Sequence, residues 1–284
     1  MSTTEILRWQ IGDARITRVV EIPPAPLPGL LPDATPEKVA AYGWLAPFLD
    51  ANGALLYSIH CLVIEVDGQV IVVDTCIGND KPRNLPFWSH LDTPFLERFR
   101  EAGFEPERVD RVLCTHMHID HVGWNTRLVD GRWVPTFPNA RYLFHEKEWA
   151  HWKDAPDHTG PVFADSVQPV FDAGLADLVA SDHQVSDAVR LIPTEGHTPG
   201  HVSVVIESRG ERAVITGDMI HHPCQLPHPE WASIADSDSN QSTATRRAFL
   251  GQFADTPTLV IGTHFPTPTA GRLVRDGERH RLEC

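Results

Sequence analysis

Thr115-His116-Met117-His118-Ile119-Asp120-His121 sets four metal-binding side chains within six positions, directly after the apolar run Val109–Cys114. Three further donors each follow an apolar run of their own. His197 stands in Glu195-Gly196-His197-Thr198-Pro199-Gly200-His201 after Val189–Ile192. Asp218 stands in Thr216-Gly217-Asp218 after Ala213–Thr216, and His264 in Gly262-Thr263-His264 after Leu259–Ile261. Buried strands make a rigid scaffold, and ligands on the loops at their ends converge on one edge of a sheet. Five imidazoles and two carboxylates suffice for two metal ions with room for a water. Structural zinc sites are usually closed and cysteine-rich, so this set points to a catalytic centre.

In His116-x-His118, alternate positions of an extended segment face the same way, so both rings can grip one ion, with His197 as its third ligand. Asp120 and His121 turn towards a second ion, completed by His264. Asp218 is the natural bridge, since a carboxylate has two oxygens to share. The donors suit Zn²⁺ and equally Mn²⁺, Fe²⁺ or Co²⁺.

The rest of the composition narrows the class. A chain of 284 residues, 42% apolar and without an apolar stretch near membrane-spanning length, reads as soluble and globular, with no membrane partner. Met1-Ser2-Thr3-Thr4-Glu5 lacks a basic and apolar leader, which makes the cytoplasm the expected location. Five scattered cysteines (61, 76, 114, 224 and 284) form neither a disulfide framework nor a thiolate zinc knuckle. A formal charge of −14 repels phosphate backbones, which argues against a nucleic-acid partner.

Residues 1–54 read as an N-terminal extension and 55–284 as the catalytic domain. Residues 21–36 are proline-dense and are expected to be neither regular helix nor central strand. Leu55–Val66 and Gln69–Asp74 flank Asp67-Gly68, a hairpin signal. Helices are expected over Thr93–Ala102, His145–Lys153, 161–180 and Ser242–Phe253, and a strand over Ala140–Phe144. The alternation fits a layered α/β protein.

The signature His-x-His-x-Asp-His at residues 116–121, with His197, Asp218 and His264 downstream, resembles that of the metallo-β-lactamase superfamily. The resemblance covers roughly residues 55–270. It implies an αβ/βα four-layer sandwich, two mixed sheets flanked by helices, with a dinuclear metal site at one edge. It also places Asp74, in Val72-Val73-Asp74-Thr75, where the family has a buried aspartate that orients a ligand histidine. A turn-capping aspartate is the competing reading. Phe137-Pro138-Asn139-Ala140, the His197–His201 turn, and Asp236-Ser237-Asp238-Ser239 leading into Arg246-Arg247 are similar to the lactonase and methyl-parathion-hydrolase-like branch. That branch includes enzymes acting on lactones, aryl esters and phosphotriesters. N-acyl homoserine lactonases carry a tyrosine three residues after the bridging aspartate, and this chain has His221 there. The proline-dense segment either wraps a second copy in a homodimer, as the resemblance implies, or roofs the site.

The expected chemistry is hydrolysis. A water held between two divalent ions loses its proton near neutral pH and becomes a strong nucleophile. Asp120 is both ligand and proton carrier to the leaving alkoxide, and His221 is a candidate donor to the substrate oxygen. Phe87, Trp88, Trp124 and Trp231 are candidate walls of an apolar pocket for a hydrophobic ester or lactone. Trp149 and Trp152 are assigned to packing. Phosphotriester hydrolysis is the nearest rival, and an iron-dependent oxidoreductase on the same fold is a more distant one.

Overall fold

The computed structural model describes residues 6–156 and 158–284. The chain forms two compact units. One takes Ile59–Ala180 with the chain up to Ile22, and the other takes Pro23–Ser58 with Ser181–Cys284.

The first unit is built on β1 (Arg8–Ile11), β2 (Ala14–Pro26), β3 (Leu56–Val66), β4 (Gln69–Val73) and β5 (Arg111–Leu113). A separate hairpin, β6 (Thr126–Val129) and β7 (Arg132–Pro135), precedes β8 (Arg141–His145) and β9 (Ala176–Val179). The sheet order is β1-β2-β3-β4-β5-β8-β9. Strands β1 and β2 form one antiparallel hairpin and β3 and β4 another, whereas β4, β5, β8 and β9 run parallel. Between the parallel strands lie the helices Phe95–Glu101 and Glu146–Trp152, as crossover connections require. Val63, Val72, Val112, Phe95, Phe99 and Tyr142 belong to its fully buried core.

The second unit carries β10 (Val189–Pro193), β11 (Val202–Ser208), β12 (Glu211–Ile215), β13 (Leu259–Ile261), β14 (Ala270–Asp276) and β15 (Arg279–Glu283), paired in that order. Only β12 and β13 are parallel, joined through the helix Ser239–Phe253. Asp238 caps that helix, its carboxylate accepting from the N–H groups of Asn240 and Gln241 at 3.0 Å each. Ser242, Arg246, Phe249, Leu250 and Phe253 form its buried stripe at helical spacing.

Register decides where the donors emerge. Val73 and Leu113 are partners in β4 and β5, so Asp74 and Thr115 leave the first sheet at the same edge. In the second sheet, Leu191, Val204 and Ile215 are aligned, and Ile215 pairs with Ile261. The segments leading to His197, Asp218 and His264 therefore leave by one edge of that sheet.

Most expected elements are found within two residues of their bounds, including the hairpin at Asp67-Gly68, where both residues have positive φ (55° and 73°). Three expectations change. The proline-dense segment begins as strand, because β2 runs to Pro26: proline fits extended backbone where the ladder needs no donor. Residues 161–180 are not one helix. A wide turn at Phe163–Val167 and the helix Gln168–Asp172 end at Gly174 (φ 70°), and Ala176–Val179 then pairs with β8. The β6–β7 hairpin was not anticipated, although Asp130-Gly131 repeats the turn dipeptide of Asp67-Gly68. Of residues 1–54, the described part supplies β1, β2 and four buried side chains of the second core, Leu31, Val39, Leu45 and Phe48. Among the described residues, no helix is long and apolar enough to cross a membrane.

Candidate metal centre

In the first unit the donor loop is stitched to the loop that follows β4. The Asp74 carboxylate accepts from the Thr115 N–H (2.7 Å) and hydroxyl (2.9 Å), and its Oδ2 lies 2.9 Å from His121 Nδ1. An Nδ1–H donated to Asp74 leaves the Nε2 lone pair of His121 available for a cation. Asp74 itself adopts φ 56°, a left-handed conformation that aspartate tolerates better than most residues. The His116 ring lies 4.0 Å from that of His121 and 4.7 Å, edge-on, from that of His118. Asp120 is partly exposed, its Oδ1 3.7 Å from His121 Nε2. The next turn is held by Gly123, whose N–H donates to Cys76 O; a Cβ there would lie 1.8 Å from the Ile77 carbonyl oxygen.

Glu148 and Trp152 brace the other side of the loop. Glu148 Oε2 accepts from the Met117 N–H (3.0 Å) and the Trp152 indole N–H (2.7 Å). The Trp152 ring then stands edge-on to His118 at 5.2 Å. Met117, His118, Ile119, Trp152, Val162 and Phe163 are among the residues that line a small cleft of mixed polar and apolar surface.

In the second unit three imidazoles surround one carboxylate. His264 Nε2 lies 3.1 Å from Asp218, His221 Nε2 3.4 Å and His197 Nε2 3.6 Å. His197 Nδ1 faces Asp236 Oδ1 at 3.0 Å, and His264 Nδ1 faces the Ser58 carbonyl at 3.1 Å. These acceptors hold the ring protons at Nδ1, so the Nε2 lone pairs of His197 and His264 point at a carboxylate. Lone pairs crowded on an anion repel unless a cation lies among them, so the donor set fits a bound metal ion. Burial alone would raise the Asp236 carboxyl. The hydrogen bond from the His197 ring and the electrostatic pull of its neighbours, the Arg246 guanidinium among them, outweigh it and hold it below the usual carboxylate range.

The Asp218 turn is positioned from behind. His201 Nδ1 faces the Thr194 carbonyl (3.1 Å), and its Nε2 accepts from the Asp218 N–H at 2.8 Å. Gly196, just before His197, has φ 132° and sits so close to Ser242 that a Cβ would lie 2.3 Å from its backbone nitrogen.

His221 is buried rather than facing solvent, and among the described residues its Nδ1 has no hydrogen-bond partner. His222 is also buried, with Nε2 donating to Phe48 O and Nδ1 accepting from the Cys224 N–H. Burial pulls its pKa down to about 4, so it is a neutral structural residue.

The tryptophans and Phe87 are placed differently from expectation. Trp124 is a core residue, stacked on Phe95 at 5.3 Å and donating its indole N–H to the buried Glu21. Trp231 belongs to the second core, its ring parallel to His228 at 3.9 Å. Trp88 packs against the first core, and Phe87 is 60% exposed. None of the four lines the cleft beside His118; Trp152, read as packing, does. Sequence reasoning also missed Glu148, His201 and the roles of Asp236 and Arg246. The Glu148/Trp152 spacing of four on a short helix was the one available signal for the first of these.

The family model of the metallo-beta-lactamase superfamily matches residues 55–264. An N-acyl homoserine lactonase from a Bacillus species is 24% identical over 170 residues, 55% of this chain and 61% of its own. The matched stretch thus spans about six-tenths of that relative's length. Among solved structures, the hydrolase AbOPH of the beta-lactamase superfamily aligns with TM-score 0.83 and 25% identity, covering 100% of this chain and 99% of that one. AidC, a dizinc quorum-quenching lactonase, aligns with TM-score 0.78 and 20% identity, covering 99% and 97%.

Proposed function

Because the chain belongs to the metallo-β-lactamase superfamily, with the fold of that family, we propose that this metal-dependent hydrolase opens lactones or cleaves carboxylic esters that carry a hydrophobic group, using two divalent ions, zinc above all. The observation that carries the reading is the ring of His197, His221 and His264 around Asp218, with two ring protons held on the far side by Asp236 and the Ser58 carbonyl. In this reading His116, His118 and His197 hold one ion, Asp120, His121 and His264 the other, and Asp218 is shared. Two such ions, when bound, would lower the pKa of a water and polarise a carbonyl.

The protein's own side chains supply the rest. Asp120, partly exposed, takes the proton from the attacking water and returns it to the leaving alkoxide. His221 directs an imidazole edge at the substrate oxygen, in the place of the tyrosine of homoserine lactonases, and its partnerless Nδ1 is consistent with a ligand-facing group. The cleft beside His118, with Trp152 and Phe163, receives the apolar part of the substrate. The likeness to a homoserine lactonase favours a lactone with an acyl side chain, whereas the histidine at 221 argues for a different leaving group. Phosphotriesters are the second reading, because the same donor set can direct attack at phosphorus, and the test below includes one.

The test measures metals in protein purified without added metal, then turnover of γ-lactones, dihydrocoumarin, p-nitrophenyl esters and paraoxon. About two zinc-like ions per chain and lactone or ester turnover, both lost in Asp218→Ala, are expected. Paraoxon as the fastest substrate would move the assignment to phosphotriesters. One iron per chain with oxygen uptake and no hydrolysis would refute it.

A further inference from the structure

Arg246 and Arg247 are neighbours on the helix Ser239–Phe253 with opposite fates. Arg247 is exposed, while Arg246 has no exposed surface at all. Burying a guanidinium is costly unless its donors are satisfied, and here they are spread over several elements. Nε donates to the Pro229 carbonyl (2.6 Å). Nη1 donates to the Met219 carbonyl (3.2 Å), the Ser242 hydroxyl (2.9 Å) and Asp236 Oδ2 (3.4 Å). Two of these acceptors belong to the metal-donor apparatus. Asp236 holds the ring of His197 through its other oxygen, and Met219 is the residue after Asp218.

The helix and the two residues that lead into it also fix the backbone around His197. The Ser237 N–H donates to His197 O (2.9 Å), the Asp238 N–H to Gly196 O (2.9 Å) and the Thr245 hydroxyl to Glu195 O (2.6 Å). The helix therefore reads as a clamp whose one buried cation reaches both donor turns.

We propose that Arg246 is a positioning residue that sets the spacing of His197 and Asp218, acting on the first through Asp236 and on the second through the Met219 carbonyl. The inference rests on the reading of His197 and Asp218 as metal donors. Nη1 serves both acceptors while Nε of the same rigid plane is anchored on the Pro229 carbonyl; a lysine has one nitrogen and cannot hold that anchor and reach both acceptors from it. The role of Arg246 is thus separable from its charge.

The experiment compares Arg246→Lys, Arg246→Met, Asp236→Asn and the control Arg247→Met in the full-length chain. Three quantities are read: thermal unfolding of the metal-free protein, zinc affinity in competition with a chromophoric chelator, and the visible spectrum of the cobalt-substituted protein. Arg246→Lys is expected to keep the metal-free unfolding temperature near that of the wild type. It should lose about 10–100-fold in zinc affinity and alter the cobalt spectrum, as loss of a ligand-orienting partner does. Asp236→Asn should reproduce both changes. The double variant Asp236→Asn with Arg246→Lys should fall well short of the summed losses, because both act through one network. Arg247→Met should match the wild type. If Arg246→Met does not fold, the lysine variant carries the test. Wild-type affinity and cobalt spectrum in Arg246→Lys, or fully additive losses, would overturn the inference while leaving the metal centre intact. A wild-type protein that takes up no metal would overturn both.

Discussion

The two units present their donors in opposite ways. In the first, four donors sit on one continuous loop, and one carboxylate, Asp74, takes both the entry to that loop at Thr115 and the ring of His121 at its end. In the second, three donors come from three separate turns, and each turn has its own brace: Asp236 for His197, His201 for the Asp218 backbone, the Ser58 carbonyl for His264. A contiguous motif can be held by local geometry and one anchor. Scattered donors need long-range partners, and a buried cation, Arg246, is added to keep two of them in step.

The largest test of that contrast lies in the glycines beside the donors. Gly123 lets the first loop turn back over Ile77, and Gly196 lets the His197 turn rest on the helix at Ser242. In Gly123→Ala the methyl group would collide with backbone from its own loop system, which has no room to give. A loss of about 3–5 kcal/mol, or failure to fold, is expected by thermal or urea unfolding. Gly196→Ala adds a strained φ to the collision and should destabilise comparably. Should either variant unfold like the wild type, the corresponding turn is not held as tightly as described.

The carboxylate braces give the next effect. Asp74→Asn and Asp236→Asn each keep an acceptor oxygen and remove the charge. Each is expected to weaken zinc binding about 10–100-fold in chelator competition. Asp74 serves one loop without an arginine behind it, so its loss should be the same whether Arg246 is present or replaced by lysine. A strong dependence of the Asp74→Asn effect on Arg246 would break the view that the two braces act independently.

The sequence disclosed the two regions unequally for the same physical reason. His116, His118, Asp120 and His121 stand out as candidate ligands because ligand spacing on one loop is a local property. His197, Asp218 and His264 stand out as candidates because each follows a short apolar strand, and the strands' parallel or antiparallel register sends the segments leading to them to one edge of the sheet. The braces are another matter. Asp236 lies 39 residues from His197 in sequence, and nothing local marks an Asp before a helix as the partner of a histidine in another turn. The tryptophans are hard to assign for a related reason. Indole is large enough to serve core or pocket equally well, and only packing decides: Trp124 stacks inside on Phe95, while Trp152 is turned to His118 by Glu148. In the fold, the strand Ala176–Val179 was hidden because its four residues carry no alternation of their own and are defined by pairing with β8.

Buried cations sharpen the comparison at its smallest scale. The first unit has its own, Lys81, with no exposed surface, donating to the Thr126 hydroxyl (2.8 Å) and the Asp165 carbonyl (3.2 Å) above the Trp133 ring. Arg83 shares the Asp165 carboxylate with it. Burial pulls the Lys81 pKa down to about 7; Asp165 opposes that shift and Arg83 adds to it. Arg246 is also pulled down by burial, yet guanidinium starts so high that it keeps its proton across the neutral range. The two units should therefore differ in pH response. An ammonium whose folded pKa lies below its unfolded value binds fewer protons in the folded state between the two. Its contribution is complete above the unfolded value of about 10.5 and is lost as pH falls towards about 7. Relative to Lys81→Met, the wild-type protein should gain about 1 kcal/mol in urea-unfolding stability from pH 7 to pH 8. Arg246→Met should show no such difference slope. A flat difference between the wild type and Lys81→Met would mean that Trp133 and Asp165 hold Lys81 charged as firmly as Arg246, and the two buried cations would then differ only in what they reach.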